Sequence, residues 1–231
     1  MNNNNIPKNN IFVIVPAYNE RNILTKVVED LVQQQYTVVV IDDGSNEQQN
    51  QYVTNLPIHY LTHQQNLGQG AALETGTIYA LENGAKYIVH FDADGQHNCA
   101  DIPALLNPLT LNEADIVFGS RFMKKNSSIP FSKTILLQLA RYVNFVFTGI
   151  LLTDAHNGLR ALNEKAARKI RITENRMAHA SEILFLVKKH KLRYTEMAVD
   201  IQYTAYSKEK GQSVWNSIRI FFDLLLHKLF E

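Results

Sequence analysis

Residues 11–15 read IFVIV, an unbroken run of β-branched and aromatic side chains stopped by Pro16. A strand with one face in water alternates apolar and polar residues. A continuous run has both faces buried, as in a parallel sheet covered by helices. The pattern recurs: VVVI at 38–41 is stopped by Asp42, Asp43, Gly44 and Ser45, and YIVHF at 87–91 is stopped by Asp92. A shorter run lies at 58–61. Ile23, Leu24, Val27, Val28, Leu31 and Val32 have helical spacing over 21–34, and an alanine-rich helix over 69–83 is stopped by Gly84. Strand–helix alternation of this kind builds a doubly wound α/β fold around a parallel sheet. Such sheets bind ligands beyond the carboxyl ends of their strands. Three polar clusters, at 16–20, 42–45 and 92–96, each follow a strand, so they are expected to meet along one edge of the sheet.

The second half is less regular. It predicts a strand at 115–119, amphipathic helices over 132–152, helices at 164–171 and 181–190, a strand at 195–203 and a last helix at 213–230. There is no internal repeat and no Gly/Ser-rich linker. The simplest organisation is a frayed, Asn-rich polar tail at 1–10, one α/β domain at 11–210 and a C-terminal amphipathic helix at 211–231.

Composition excludes several classes. The formal net charge is +1, from 23 basic and 22 acidic residues, which lacks the basic excess of a nucleic-acid binder. The single cysteine, Cys99, leaves no internal disulfide and no Cys-based zinc cluster, and fits a reducing compartment. The first ten residues lack the apolar core of a signal peptide. The longest strongly apolar stretch, 142–152, is interrupted by Asn144 and Thr148 and is shorter than the about 20 residues a membrane span needs. The expected location is cytoplasmic, in the cytosol or at the inner face of the membrane.

Asp92 and Asp94 flank Ala93 just after a buried strand. Two carboxylates at that spacing can reach one divalent ion, and hard cations such as Mg²⁺ and Mn²⁺ prefer oxygen ligands. Gln96 could add a carbonyl oxygen and His97 a nitrogen. The competing reading is a pair of solvated turn acids. Asp42 and Asp43 could accept hydrogen bonds from a base or a ribose, as the acid of dinucleotide folds does, or could belong to an Asp-Gly turn. At 63–72, HQQNLGQGAA, Gly68 and Gly70 permit close backbone approach to a ligand or to a neighbouring strand. The helix that follows favours anions at its start. This stretch has neither the G-K-[ST] of a P-loop nor a third glycine at position 73.

Taken in order, VPAYNE at 15–20, DDGS at 42–45, NLGQGAA at 66–72, DADGQH at 92–97 and GSR at 119–121 resemble glycosyltransferase family 2. The chain is similar to the dolichol-phosphate mannose synthase and polyprenyl-phosphate glycosyltransferase branch over residues 11–210. The resemblance implies a Rossmann-like GT-A fold, a mostly parallel central sheet flanked by helices, here with the C-terminal helical extension. It implies a nucleotide-sugar site lined by Pro16, Ala17, Tyr18, Glu20, Asp42, Asp43, Asp92 and Ala93. The metal site would be Asp92, Asp94 and Gln96, holding Mg²⁺ or Mn²⁺. Asp94, Arg121 and Arg160 would act at the reaction centre. Residues 154–160, DAHNGLR, resemble the family's D-x-x-S-G-F-R, with Asn157 and Leu159 in place of Ser and Phe. Residues 203–213, carrying Lys208 and Lys210, resemble the basic loop that closes over donor and acceptor phosphates, so Lys210 joins the donor site.

The implied reaction is inverting transfer from a UDP- or GDP-linked sugar. A lipid-phosphate acceptor is already anionic near neutral pH and needs no protein base. A saccharide hydroxyl does need one, and Glu182 is then the candidate, against a reading as a helix N-terminal acid. The alternatives to polyprenyl phosphate transfer are transfer to a saccharide in surface polysaccharide assembly, and nucleotide-sugar binding without turnover. The intact Asp92 and Asp94 argue against the latter. A nucleotidyltransferase would carry a Gly-rich basic loop where 16–20 reads PAYNE. The last helix is apolar over much of its circumference and has to be covered. Three arrangements cover it: its own domain, a homodimer, or a membrane interface reached peripherally or through a membrane-protein partner.

Overall fold

The computed structural model describes residues 7–47, 49–123, 141, 142, 145, 146, 148–155 and 157–202. Its strands are β1 (Ile11–Ala17), β2 (Thr37–Asp42), β3 (His59–Thr62), β4 (Tyr87–His90), β5 (Ile116–Ser120), β6 (Arg160–Asn163) and β7 (Tyr194–Ala198). Its helices are α1 (Arg21–Gln33), α2 (Gln69–Glu82), α3 (Ile102–Thr110), α4 (Glu164–Lys169) and α5 (His179–Lys189). The strands form one sheet in the order β3-β2-β1-β4-β6-β5-β7. β1 pairs in parallel with β2 and β4, β2 with β3, and β5 with β7. Only β6 among the described strands runs antiparallel, between β4 and β5.

The two faces of β1 explain the unbroken apolar run. Ile11, Val13, Val15 and Ala17 point to one side, where Leu24, Val28 and Leu31 of α1 and Ile102, Leu105 and Leu109 of α3 cover them. Phe12 and Ile14 point to the other, against Ala72, Leu73 and Ala80 of α2 and Ile183, Leu184 and Val187 of α5. Each fully buried side chain of this size contributes about 1.5–3 kcal/mol, so the central strands anchor both layers. The parallel strands β1, β2 and β4 end side by side, and their following loops share one edge.

Several expectations need correction. Residues 7–10 are not frayed: Lys8–Asn10 form a 3-10 turn, Lys8 Nζ donates to the Gln34 carbonyl at 2.6 Å, and the Asn10 carbonyl accepts from Lys86 N at 3.0 Å. Helix α3 was not foreseen, because Pro103 and Pro108 obscure it; Pro103 sits in the first turn, where its missing N–H costs nothing. Strand β6, four residues long, carries too little periodicity to be expected as a strand. Strand β7 stops at Ala198, and Ile201 then bridges to His97. Residues 141, 142, 145, 146 and 148 are helical, while the rest of the expected helices at 132–147, Lys210 and the extension at 211–231 lie outside the described residues. Among the described residues no helix is long and apolar enough to cross a membrane.

Candidate active site

β4 delivers Asp92 to the carboxyl edge of the sheet. Its Oδ1 accepts from Gln69 Nε2 at 2.7 Å, and its Oδ2 accepts from His97 Nε2 at 3.2 Å. The loop then turns back. Ala93 is buried, and Asp94 accepts from the backbone N–H of Gln96 at 3.0 Å and from its side-chain amide. Gln96 therefore turns the nitrogen end of its amide to Asp94. Gln202 N donates to the Gln96 carbonyl at 2.8 Å, which ties the loop to the chain beyond β7.

β6 closes the site from the other side. Gly158 lies directly on the Asp92 carboxylate, where a Cβ would collide with it. The absence of a side chain is what lets the two segments meet. Arg160, two residues on, is buried and pairs across the sheet with His90. Its Nε donates to the Gly158 carbonyl at 3.3 Å and its Nη2 to the Asn157 carbonyl at 3.2 Å. Burial lowers the Arg160 pKa to about 10, opposed by the Asp92 charge, so it stays cationic near neutrality. Burial and the Arg160 charge hold His90 well below the ordinary imidazole range and bring His179 down to about 4. Both imidazoles are neutral at pH 7.

The two acids differ. Burial raises the Asp92 carboxyl, but the His97 hydrogen bond and the charges of His97, Arg160 and His179 outweigh it, and the net shift is downward. Asp94 shifts upward, first by burial and then by the neighbouring Asp92 charge. Like charges crowded in one half-buried loop are what a divalent ion relieves. Among the described residues no three His, Cys, Asp or Glu side chains converge in a ligating group. The chain thus offers a partial, hard-oxygen set. That fits an ion that takes its remaining ligands from phosphate and water.

At the ends of β1 and β2, the expected nucleotide residues sit together. Asp43 N donates to the Ala17 carbonyl at 2.9 Å, Asn19 N to Ser45 Oγ at 2.9 Å, and Glu20 N to Gln49 Oε1 at 3.0 Å. Pro16 follows Val15 in β1, and Tyr18 is exposed at the edge. The two aspartates are buried and committed. Asp42 accepts from Ser45 N at 3.0 Å and from Tyr60 Oη at 2.8 Å. Burial and this bond raise the Tyr60 pKa. Asp43 accepts from His63 Nδ1 at 2.7 Å, Leu67 N at 3.0 Å and Gly68 N at 2.7 Å. Gly68 and Gly70 pack against the carbonyls of Asn175 and Glu174, so their close approach is to protein.

Arg121, residues 153–155 and residues 157–159 form the remaining wall. Asp154 Oδ2 accepts from Arg121 Nε at 2.6 Å, Arg121 N at 3.1 Å and Asn157 Nδ2 at 3.2 Å. Asn157 Oδ1 also accepts from Leu159 N at 3.0 Å, and Leu159 is core. Of the two departures from the family segment, Asn157 closes the turn and Leu159 fills an apolar position. Glu196 accepts from Thr153 N, Thr153 Oγ1 and Asp154 N. Glu182, on the first turn of α5, accepts from Thr173 N at 3.0 Å and Glu174 N at 2.9 Å, and from the Thr173 hydroxyl. It holds the 173–175 segment against Gly68 and Gly70. Gln69, Asp154 and Glu196 were not singled out from sequence. Asp154 heads a recognised segment, whereas nothing local marks Gln69 or Glu196.

Residues 12–171 match the sequence profile described as glycosyl transferase family 2. The chain is 32% identical over 241 residues to UDP-N-acetylglucosamine--dolichyl-phosphate N-acetylglucosaminyltransferase of Methanococcus voltae, covering 95% of this chain and 96% of that protein. It is 28% identical over 251 residues to dolichyl-phosphate beta-glucosyltransferase of Dictyostelium discoideum, covering 96% and 75%. The fold is similar to glucosyl-3-phosphoglycerate synthase from Mycobacterium tuberculosis in complex with Mn²⁺, UDP and glucosyl-3-phosphoglycerate, with a TM-score of 0.66, 16% identity and coverage of 87% and 74%. The architecture is GT-A. With the strand-end loops assembled at one edge and the profile matching most of the chain, this protein belongs to glycosyl transferase family 2 and is a glycosyltransferase.

Proposed function

We propose that this chain transfers a sugar from a nucleoside-diphosphate sugar to a polyprenyl phosphate, with inversion at the anomeric carbon and dependence on a divalent cation. The observation that carries the reading is the Asp92–Asp94 loop at the carboxyl edge of the sheet, with Gly158 lying directly on the Asp92 carboxylate and the Arg160 charge acting on it. Asp92 and Asp94 would hold the cation, with Gln96 as a further ligand. When bound, it neutralises charge on the leaving diphosphate. Tyr18, Pro16, Ala17 and Glu20 line the nucleotide side, and Asp42 and Asp43 act by shaping that wall.

An acceptor phosphate oxygen forms the new bond to the anomeric carbon while the bond from that carbon to the diphosphate oxygen breaks. The electron pair leaves with the nucleoside diphosphate. Arg160, fixed by two carbonyls, supplies positive potential behind Asp92, and Arg121, aimed by Asp154, supplies it on the acceptor side. No proton has to be removed from a phosphate acceptor. The bonds from Thr173 and Glu174 to Glu182 support this acceptor class, because a base would have to give them up. The relatives named for dolichyl phosphate support it independently.

The test is transfer from a panel of radiolabelled UDP- and GDP-sugars, with Mn²⁺ or Mg²⁺, into organic-extractable product in the presence of undecaprenyl phosphate. Label in the organic phase that needs both metal and lipid is expected. The Asp94→Asn variant should fold and lose about 100-fold or more in rate, the scale of removing one group that stabilises developing charge. Metal-dependent donor hydrolysis with no lipid product would move the acceptor to a saccharide.

A further inference from the structure

A second cleft lies at the opposite end of the sheet. It has a volume of about 980 Å³, and its lining includes Asn10 before β1, Lys86 before β4, Asn112 before β5, and Lys165 and Arg168 of α4. Tyr87, which opens β4, also lines it, five residues before Asp92. At about 3.3 Å per residue that is on the order of 16 Å from the candidate active site.

Four cations, Lys86, Lys165, Arg168 and Arg193, and two carboxylates, Asp115 and Glu164, line this cleft. The local charge is +2 in a chain whose whole formal charge is +1, so the rest of the sequence is net negative. Each carboxylate holds two cations. Asp115 is buried and accepts from Arg193 Nη2 at 3.1 Å, Arg193 N at 2.9 Å, Asn163 Nδ2 at 3.2 Å and Lys165 Nζ at 3.2 Å. Glu164 accepts from Lys86 Nζ and from Arg168 Nη2, both at 2.8 Å. One cation neutralises each acid and the other is surplus. Arg193 and Lys165 satisfy the buried Asp115 and hold its carboxyl well below the usual carboxylate range. The side chains of Lys86 and Arg168 are each 58% exposed, and their pairs with the more open Glu164 add little stability, so their placement beside Lys165 in one cleft calls for a reason other than holding the fold.

We propose that this cleft binds a small molecule bearing two or more closely spaced phosphate groups. Arg193 spends its guanidinium on Asp115 and Asn112, whereas Lys86, Lys165 and Arg168 are pinned by Glu164 and Asp115 with N–H groups to spare for an anion. Arginine forks match phosphate oxygens, and lysine supplies point charge. Asn10 and Asn112 also line the cleft. The volume is that of a small-molecule site. The site is separate from the donor diphosphate and requires no divalent ion.

The test is calorimetric titration of the full chain with tripolyphosphate in EDTA at low salt, run on the wild type, on Asp94→Asn and on the double variant Lys165→Gln/Arg168→Gln. Both substituted cations are more than half exposed, so that variant should fold, with circular dichroism as the check. Binding is expected in the wild type and in Asp94→Asn, weakening as salt rises, and at least about tenfold weaker in the double variant, as removal of two phosphate-facing charges implies. Citrate should bind less tightly than tripolyphosphate. No binding of tripolyphosphate, or binding unchanged in the double variant, would overturn the site. Equal binding of citrate would overturn its assignment to phosphate.

Discussion

Gln69 shows how one side chain can govern a site it does not belong to by motif. It opens α2, and its amide N–H donates to Asp92 Oδ1 at 2.7 Å. With that oxygen held, the carboxylate cannot swing. Partners of metal ligands commonly change affinity or activity 10–100-fold when removed. Gln69→Leu is expected to weaken Mn²⁺ binding by about tenfold while leaving the thermal midpoint near the wild-type value. Calorimetry with Mn²⁺ and a melting curve check the two halves. Asp92 and Asp94 stand out in the sequence because the D-x-D follows a buried strand. Gln69 does not, because its partner lies 23 positions away and only the packing of α2 on the sheet joins them. A longer separation hides Glu196, whose carboxylate reaches Thr153 and Asp154 across 43 and 42 positions.

Three elements share one buried polar cluster: β4 brings His90, β6 brings Arg160 and α5 brings His179. His179 Nδ1 donates to the Arg176 carbonyl at 2.7 Å, and His90 Nε2 pairs with Thr77 Oγ1 at 3.1 Å. Their pKa values are depressed by burial and by the Arg160 charge, His179 to about 4. A histidine depressed on folding binds its proton more readily when unfolded, near 6.5. Its contribution is therefore present above about pH 6.5 and is lost as pH falls toward about 4. For His179 alone the loss is on the order of 3 kcal/mol, and His90 adds in the same direction. Urea midpoints at pH 7, 5.5 and 4.5 should fall steadily in the wild type, and the slope should be shallower in His179→Gln. At this scale the sequence was readable wherever periodicity was long: α1, α2 and the central strands stand close to where apolar spacing puts them. It failed where periodicity was short or interrupted. RALN, residues 160–163, is too brief to announce a strand, and its antiparallel direction is set by its neighbours β4 and β5. The prolines of α3 mask a helix that tolerates one in its first turn and one near its end.

At the scale of the described molecule, the parallel strands deliver three polar loops to one edge, and β6 with residues 153–155 and 157–159 closes the fourth side. The convergence of those loops was the inference that sequence alone carried furthest. What it left out is that Asp42 and Asp43 spend their oxygens on Tyr60, Ser45, His63, Leu67 and Gly68, building that edge of the sheet from within. The other end of the sheet carries the surplus positive charge, so the two ends differ in chemistry as well as in position. The proposal that Asp92 and Asp94 share a cation with the donor diphosphate is tested most directly by titrating UDP and GDP into the protein with Mn²⁺ and with EDTA, in the wild type and in Asp94→Asn. The tighter-binding nucleotide should gain about tenfold or more in affinity from Mn²⁺, a coupling of about 1.4 kcal/mol, and Asp94→Asn should lose that gain. Nucleotide affinity that ignores Mn²⁺ in the wild type, or a gain that survives in Asp94→Asn, would contradict it.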